Sequence, residues 1–253
     1  MIGEIIARKE LLFGLVARNL KIRYKGSTLG FLWSLMDPML MVAVYFAFAK
    51  LTRFQVDLPY LLSGVLVWQF ISLCVGDSFH SVVGNPNLVK KVYFPRSILP
   101  LSMTLANLVN YFLTLVVLFG FLLLVGTHIP WTRIWLIPFF IFIQFILCLG
   151  FSFLFSSLMV YFRDTQHLVS IGLMAWFFLS PVIYPATLVP EKIFWIYQMN
   201  PMCLVLMGFR YCLLGQDFHF TEISLIPILI SLFFLGLGAW VFLKLEPYFS
   251  DEL

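Results

Sequence analysis

The chain has 253 residues, of which 62% are hydrophobic, 18% aromatic and only 11% charged. Soluble domains carry about 25% charged and 45–50% apolar residues, so an ordinary soluble enzyme is excluded, and so is disorder, which needs low hydrophobicity. The net charge of +4, from 16 Lys+Arg against 12 Asp+Glu, gives no reason to expect a nucleic-acid partner.

An all-α polytopic membrane protein remains, with room for six spans of about 20 residues. Residues 1–26 read as an amphipathic interface helix. Ile2, Ile5, Ile6, Leu12, Phe13, Val16 and Leu20 recur at helical spacing, with Glu4, Arg8, Arg18, Lys21 and Lys25 mostly opposite and Lys9 inside the stripe. No cleavable signal peptide is expected, because Glu4, Arg8, Lys9 and Glu10 mix charges where a basic patch would stand. The first span is expected over 29–49. It holds Asp37-Pro38, which is either a carboxylate facing the bundle or water, or the restart of a kinked helix. The second is expected over 60–83, with Asp77 and His80 near its end. Residues 87–96, basic and bracketed by Pro86 and Pro95, read as a short helix between spans. Further spans are expected over 98–125, 134–161, 168–184 and 223–245.

The stretch 185–222 does not fit that pattern. Pro185, Pro190 and Pro201 punctuate apolar runs too short to span, which suits re-entrant or interfacial helices within 186–215. Six spans place both termini on one side. Arg8, Lys9, Arg18, Lys21, Arg23, Lys25, Lys90, Lys91, Arg96, Arg163 and Lys244 then lie with the termini, against Lys50, Arg53, Arg133, Lys192 and Arg210 opposite. The positive-inside rule makes the termini cytoplasmic. The cysteines Cys74, Cys148, Cys203 and Cys212 form no CxxC pair; they read as small apolar fillers, and no metal is expected. His128, His167 and His219 look like loop residues. There is no phosphate-binding Gly-rich loop ending in Gly-Lys-Ser/Thr, so any ATP and Mg belong to a separate subunit.

Three stretches carry a resemblance. They are Arg23-Tyr24-Lys25-Gly26-Ser27-Thr28-Leu29-Gly30-Phe31-Leu32-Trp33 with Pro38 downstream, Tyr161-Phe162-Arg163-Asp164, and Ser180-Pro181-Val182-Ile183-Tyr184 followed by Asn200-Pro201. In their order and spacing, over nearly the whole chain, they resemble the membrane subunit of type-2 ABC exporters that move lipid-linked polysaccharides such as O-antigen, capsule or teichoic acid. Members of that family usually carry an uncharged residue where this chain has Asp37. The resemblance implies a homodimer in the cytoplasmic (inner) membrane, two ATP-binding cassette subunits, a channel between permeases, a coupling helix over 87–96 and outward gate helices.

Each candidate site has a plainer reading beside it. Lys90, Lys91, Tyr93, Phe94 and Arg96 would dock the ATPase, with aromatic anchors and orienting cations, or they form only a basic inner loop. Arg18, Lys21, Arg23 and Lys25 would hold a lipid-linked pyrophosphate or generic anionic headgroups. Arg163 and Asp164 would relay ATPase movement or mark where substrate enters; alternatively Asp164 caps the fifth span. Trp33, Trp68, Trp176, Phe177 and Phe178 would line a sugar-conducting pore, or pack and anchor at interfaces. Two other functions compete: a membrane-embedded transferase acting on lipid-linked sugars, and a related exporter of drugs or small lipids. No DxD, HxxxxD or HExxH run supports the transferase.

Overall fold

The computed structural model describes residues 2–26, 30, 32–51, 57–91, 93–218 and 222–253, with side chains for all of these but 2, 5, 6, 24, 34, 35, 38, 48 and 49. Ser27, Thr28, Leu29, Phe31, Arg53, Val92 and His219 therefore lie outside the described residues. Every regular element among the described residues is helical: α1 Ile2–Ala7, α2 Lys9–Tyr24, α3 Leu32–Leu51, α4 Leu58–Val83, α5 Pro86–Lys91, α6 Ile98–Leu124, α7 Ile137–Tyr161, α8 Thr165–Phe178, α9 Glu191–Gln198, α10 Pro201–Leu214, α11 Leu225–Leu245 and α12 Phe249–Glu252. Short 3-10 turns precede α7 and α11 and follow α11.

Four stretches are long and apolar enough to cross a membrane: Leu58–Val83, Ile98–Leu124, Trp131–Tyr161 and Glu222–Glu252. They match the second, third, fourth and sixth expected spans. Helix α3 has 20 residues, about 30 Å at 1.5 Å per residue. It runs unbroken through Asp37-Pro38, so Asp37 does not restart a helix. Helix α8 has 14 residues, about 21 Å, and stops at Phe178 where a span to Tyr184 was expected. Pro181 disfavours helical backbone at Ser180, and the Leu179 carbonyl accepts from Asn200 Nδ2 (3.3 Å), which closes the helix end.

Helix α4 runs through the centre of the core. Its buried Leu61, Leu66, Phe70, Ile71 and Cys74 meet Tyr111 and Leu118 of α6, Phe140 and Leu147 of α7, and Val205 and Phe209 of α10. Helix α10 is thus an interior element. Polar side chains cross between helices where hydrocarbon would leave them unpaired: Gln144 Nε2 donates to the Val67 carbonyl (2.8 Å) and Thr104 Oγ1 to Ser152 Oγ (2.9 Å). Helices α7 and α11 touch through glycine, since a Cβ on Gly238 would stand 2.1 Å from the Gly150 carbonyl oxygen; small residues let membrane helices approach this closely.

A second cluster joins the chain ends to the bundle. Leu12, Leu15 and Val16 of α2 pack with Val89, Phe94, Ile98, Phe153, Phe242 and Phe249. The expected interface helix is two helices, α1 and α2, with Arg8 between them, and its outer face carries exposed Phe13 and Ile22.

Candidate functional site

A groove of about 470 Å³ runs between α3, α4 and α8, lined by Asp37, Met41 and Tyr45, by Val65, Trp68, Gln69, Ser72, Gly76 and Phe79, and by Ser170, Leu173, Met174, Phe177 and Phe178. One end is polar. Asp37 stands five residues into α3 and Ser170 five into α8, each about 8 Å from its helix start. The other end is aromatic: the Trp68 ring meets Trp176 (5.6 Å) and Phe177 (5.5 Å) edge-on, and Tyr45 stacks on Phe177 (5.7 Å). Three of the expected pore aromatics, Trp68, Phe177 and Phe178, line this groove. Trp176 sits behind it against Phe151 (5.8 Å), and Trp33 is exposed on α3, apart from the groove wall.

Behind the aromatic end, the two halves of the third motif form one hydrogen-bonded knot. Asn200 caps α10 by accepting from Met202 N (2.9 Å); its Oδ1 also accepts from Trp176 Nε1 (2.9 Å), and its Nδ2 donates to Ser180 Oγ (2.9 Å). Arg210, 1% exposed, donates to the carbonyls of Pro181, Val182 (2.8 Å) and Tyr60 (3.4 Å) and lies 3.4 Å above the Tyr60 ring. Gly64 makes the space: a Cβ there would fall 2.2 Å from the Val182 carbonyl oxygen. Tyr60 Oη donates to the Tyr184 carbonyl (2.8 Å), and Tyr197 Oη donates to Tyr184 Oη (3.2 Å). Burial, then that bond to Tyr184, holds the Tyr197 phenol above its ordinary pKa.

The basic residues divide by direction. Arg18 donates to Asn85 Oδ1 (2.8 Å), while Arg23 pairs with Asp77 and donates to Asn107 Oδ1 (2.6 Å). Asn107 Nδ2 in turn donates to Asp77 (2.9 Å). Both arginines expected at a pyrophosphate therefore tie α2 to α4 and α6, while Lys21 and Lys25 are exposed. The 87–96 segment divides likewise. Its helix, α5, spans Pro86–Lys91, and Pro95 disfavours helical backbone at Phe94. Lys90, Lys91 and Tyr93 face outward, Tyr93 at 97% exposure, whereas Phe94 is buried in the chain's own core and Arg96 is bonded to Glu246 and Ser250. Arg163 and Asp164 are exposed. Asp164 holds the N-cap position of α8 without a side-chain bond, since its helical φ/ψ differs from the extended backbone that capping needs.

Sequence reading gave no role in these networks to Tyr60, Asp77, Asn85, Asn107, Tyr197, Arg210, Glu246 and Ser250. Arg210 was visible as a charge inside the apolar run Met202–Leu214, and Asp77 as one inside a span. Asn107 and Glu246 gave no signal. Among the described residues no group of His, Cys, Asp and Glu gathers as a metal site, and the four cysteines are buried thiols.

A helical bundle in which four of the described stretches are long and apolar enough to cross a membrane is the architecture of a multi-pass membrane protein. The chain belongs to the ABC-2 type transporter family as its membrane domain: the family description matches residues 10–214. It is 32% identical over 249 residues to an O-antigen export system permease protein RfbA of Klebsiella pneumoniae, covering 96% of this chain and 95% of that one. A Myxococcus xanthus protein of the same name is 32% identical over 216 residues, 83% of this chain and 82% of its own.

Proposed function

We propose that this chain is the permease subunit of an ABC transporter that exports a lipid-linked, O-antigen-like polysaccharide across the cytoplasmic membrane. ATP hydrolysis on a separate subunit drives it. The observation that carries this reading is the end-to-end match to O-antigen export permeases, 96% of this chain against 95% of the relative. The groove supports it chemically: Asp37, Gln69, Ser72 and Ser170 offer hydrogen bonds to hydroxyls, and Tyr45, Trp68, Phe177 and Phe178 offer faces along which sugar rings slide.

In this reading α3 and the path from Thr165 to Tyr184 complete six spans, with both termini cytoplasmic. Residues 1–26 lie at the inner interface, where Lys21 and Lys25 meet pyrophosphate or headgroup. The segment 87–96 is the coupling element, presenting Lys90, Lys91 and Tyr93 to the ATPase with Phe94 and Arg96 as its inner support. Arg163 sits where substrate enters. Residues 186–215 form the outward gate. Two copies set their grooves together as a homodimer, and two ATPase subunits bind below. ATP biases the dimer through its differential affinity for closed and open forms.

Deleting the gene and restoring it in trans tests this. Surface polysaccharide is lost on deletion while lipid-linked polymer accumulates inside, and both return on complementation. Failure to synthesise the polymer at all would favour the transferase reading, and an altered drug sensitivity with normal surface polymer the small-molecule exporter.

A further inference from the structure

Arg96 and Glu246, 150 residues apart, are joined at two points, one through the Arg96 backbone and one through its side chain. The Arg96 amide donates to Glu246 Oε1 (2.7 Å), and the Arg96 guanidinium donates to the Glu246 carbonyl and to Ser250 Oγ. Just beside this pair, Phe249 is fully buried between Phe242 (5.3 Å) and Tyr161 (6.4 Å), and Tyr161 Oη donates to the Leu245 carbonyl (3.3 Å). Phe94 is buried in the same cluster. Residues 245–250 are therefore folded back and fixed against the 86–96 segment by both polar and apolar contacts. On one side the clamp borders a cavity of about 520 Å³, lined also by Glu4, Arg8, Tyr93 and Leu243.

We infer that this clamp is the route by which movement of the 86–96 segment reaches α11, and that Glu246 is a positioning residue for coupling. The inference rests on the transporter reading above. A push on exposed Lys90, Lys91 and Tyr93 reaches α6 through the chain itself, since Ser97 leads into Ile98. Along the chain, α11 lies about a hundred residues beyond α6. The clamp supplies a direct non-covalent path, and its three bonds resist both sliding and rotation because they leave Arg96 from its backbone and from two guanidinium nitrogens to three separate acceptors. Helix α11 lies along α7 through the Gly150–Gly238 approach, so a shift of α11 is delivered to the bundle core.

The test compares Glu246→Ala, Glu246→Gln and Arg96→Lys in the full chain, coexpressed with its ATPase subunit in cells making the polymer. Surface polymer is divided by the ATPase activity of the same complexes, after normalising for copurified subunit. Glu246→Ala lowers that ratio about tenfold, within the range of coupling energies between distinct sites. Glu246→Gln stays near wild type because its Oε1 still accepts the Arg96 amide. A wild-type ratio in Glu246→Ala, or an equal loss in Glu246→Gln, overturns the inference. Should Glu246→Ala not assemble, Arg96→Lys decides: the ammonium cannot reach the Glu246 carbonyl and Ser250 together, so the ratio falls, and an unchanged ratio overturns the clamp. If the wild-type chain neither restores surface polymer nor copurifies with an ATPase, the transporter reading falls and takes the clamp with it. If the wild type does both and the variants match it, only the clamp falls.

Discussion

Replacing Arg210 by Met removes the guanidinium from the motif knot while keeping an unbranched apolar stem. The carbonyls of Pro181 and Val182 lose their Arg210 donors, whereas the Tyr60 carbonyl keeps Ser63 Oγ at 2.9 Å. Each orphaned buried acceptor costs about 1–3 kcal/mol, and the lost stack on Tyr60 about 2 kcal/mol at a desolvated site. Against this, the substitution removes a buried cation whose Nε finds no acceptor among the described residues, which returns several kcal/mol of desolvation. The net is a loss of about 2–4 kcal/mol, or roughly 5–15 °C in thermal midpoint for a chain of this size.

Two readouts check it in detergent-solubilised protein: thermal unfolding, and alkylation of the native thiols followed by mass spectrometry. Cys203, on α10 beside the knot and 1% exposed, reports local opening, while Cys74, fully buried in the α4 core, serves as the internal control. Arg210→Met raises Cys203 labelling about fivefold or more, the factor that a loss of about 1 kcal/mol in local stability gives, and leaves Cys74 unchanged. Arg210→Lys falls between, because an ammonium keeps the charge but loses the planar fork and the flat stack on Tyr60. A midpoint unchanged to within about 1 °C, with Cys203 silent, would refute the reasoning.

Other outcomes follow from the same contacts. Gly64→Ala destabilises by about 1–3 kcal/mol because its Cβ meets backbone at Val182, whereas Gly76→Ala, with nothing within 4 Å of its Cβ, changes stability by about 1 kcal/mol or less; paired unfolding curves compare them. A double-mutant cycle of Arg23→Gln with Asp77→Asn yields a coupling of about 1–2 kcal/mol, given side chains 23% and 31% exposed, and additive single effects would show that the pair does not hold α2 to α4. Lys90→Glu with Lys91→Glu weakens copurification of the ATPase subunit about tenfold, since repulsion replaces orienting attraction; undiminished copurification would remove these lysines from the interface.

The long helices were legible because their apolar runs reach or exceed membrane thickness and end in polar or Pro/Gly punctuation, as at Gly84-Asn85-Pro86 and Phe162-Arg163-Asp164. The end of α8 was less so. Pro181 is a legible breaker, yet the rest of 179–184 is largely apolar, and the helix end is also fixed by Asn200, twenty residues on, reaching back to Ser180. The direction of a cation was not legible either. Arg23 and Lys25 are two residues apart with the same charge, yet one is locked to Asp77 and the other exposed. Sequence gives a residue's charge, and the partner that consumes that charge comes from a different helix.

That division separates scaffold from function among the basic residues. Arg18, Arg23, Arg96 and Arg210 each spend their fork on acceptors of this chain, and each joins elements distant in sequence: α2 to the α4 end, α2 to α4 and α6, the coupling segment to the α11 end, and α10 to the 181–182 turn. Lys21, Lys25, Lys90 and Lys91 point outward. Guanidinium suits the first task, because a planar set of donors satisfies several fixed oxygens at once, and ammonium suits the second, as a mobile point charge for phosphate or a partner surface. Exchanging Arg23 for Lys therefore costs stability with little change in headgroup binding, and exchanging Lys25 for Gln does the reverse. Unfolding curves and flotation with anionic vesicles read the two effects separately. Equal responses at both positions would mean that the side chains share one role and that the division by direction has no functional content.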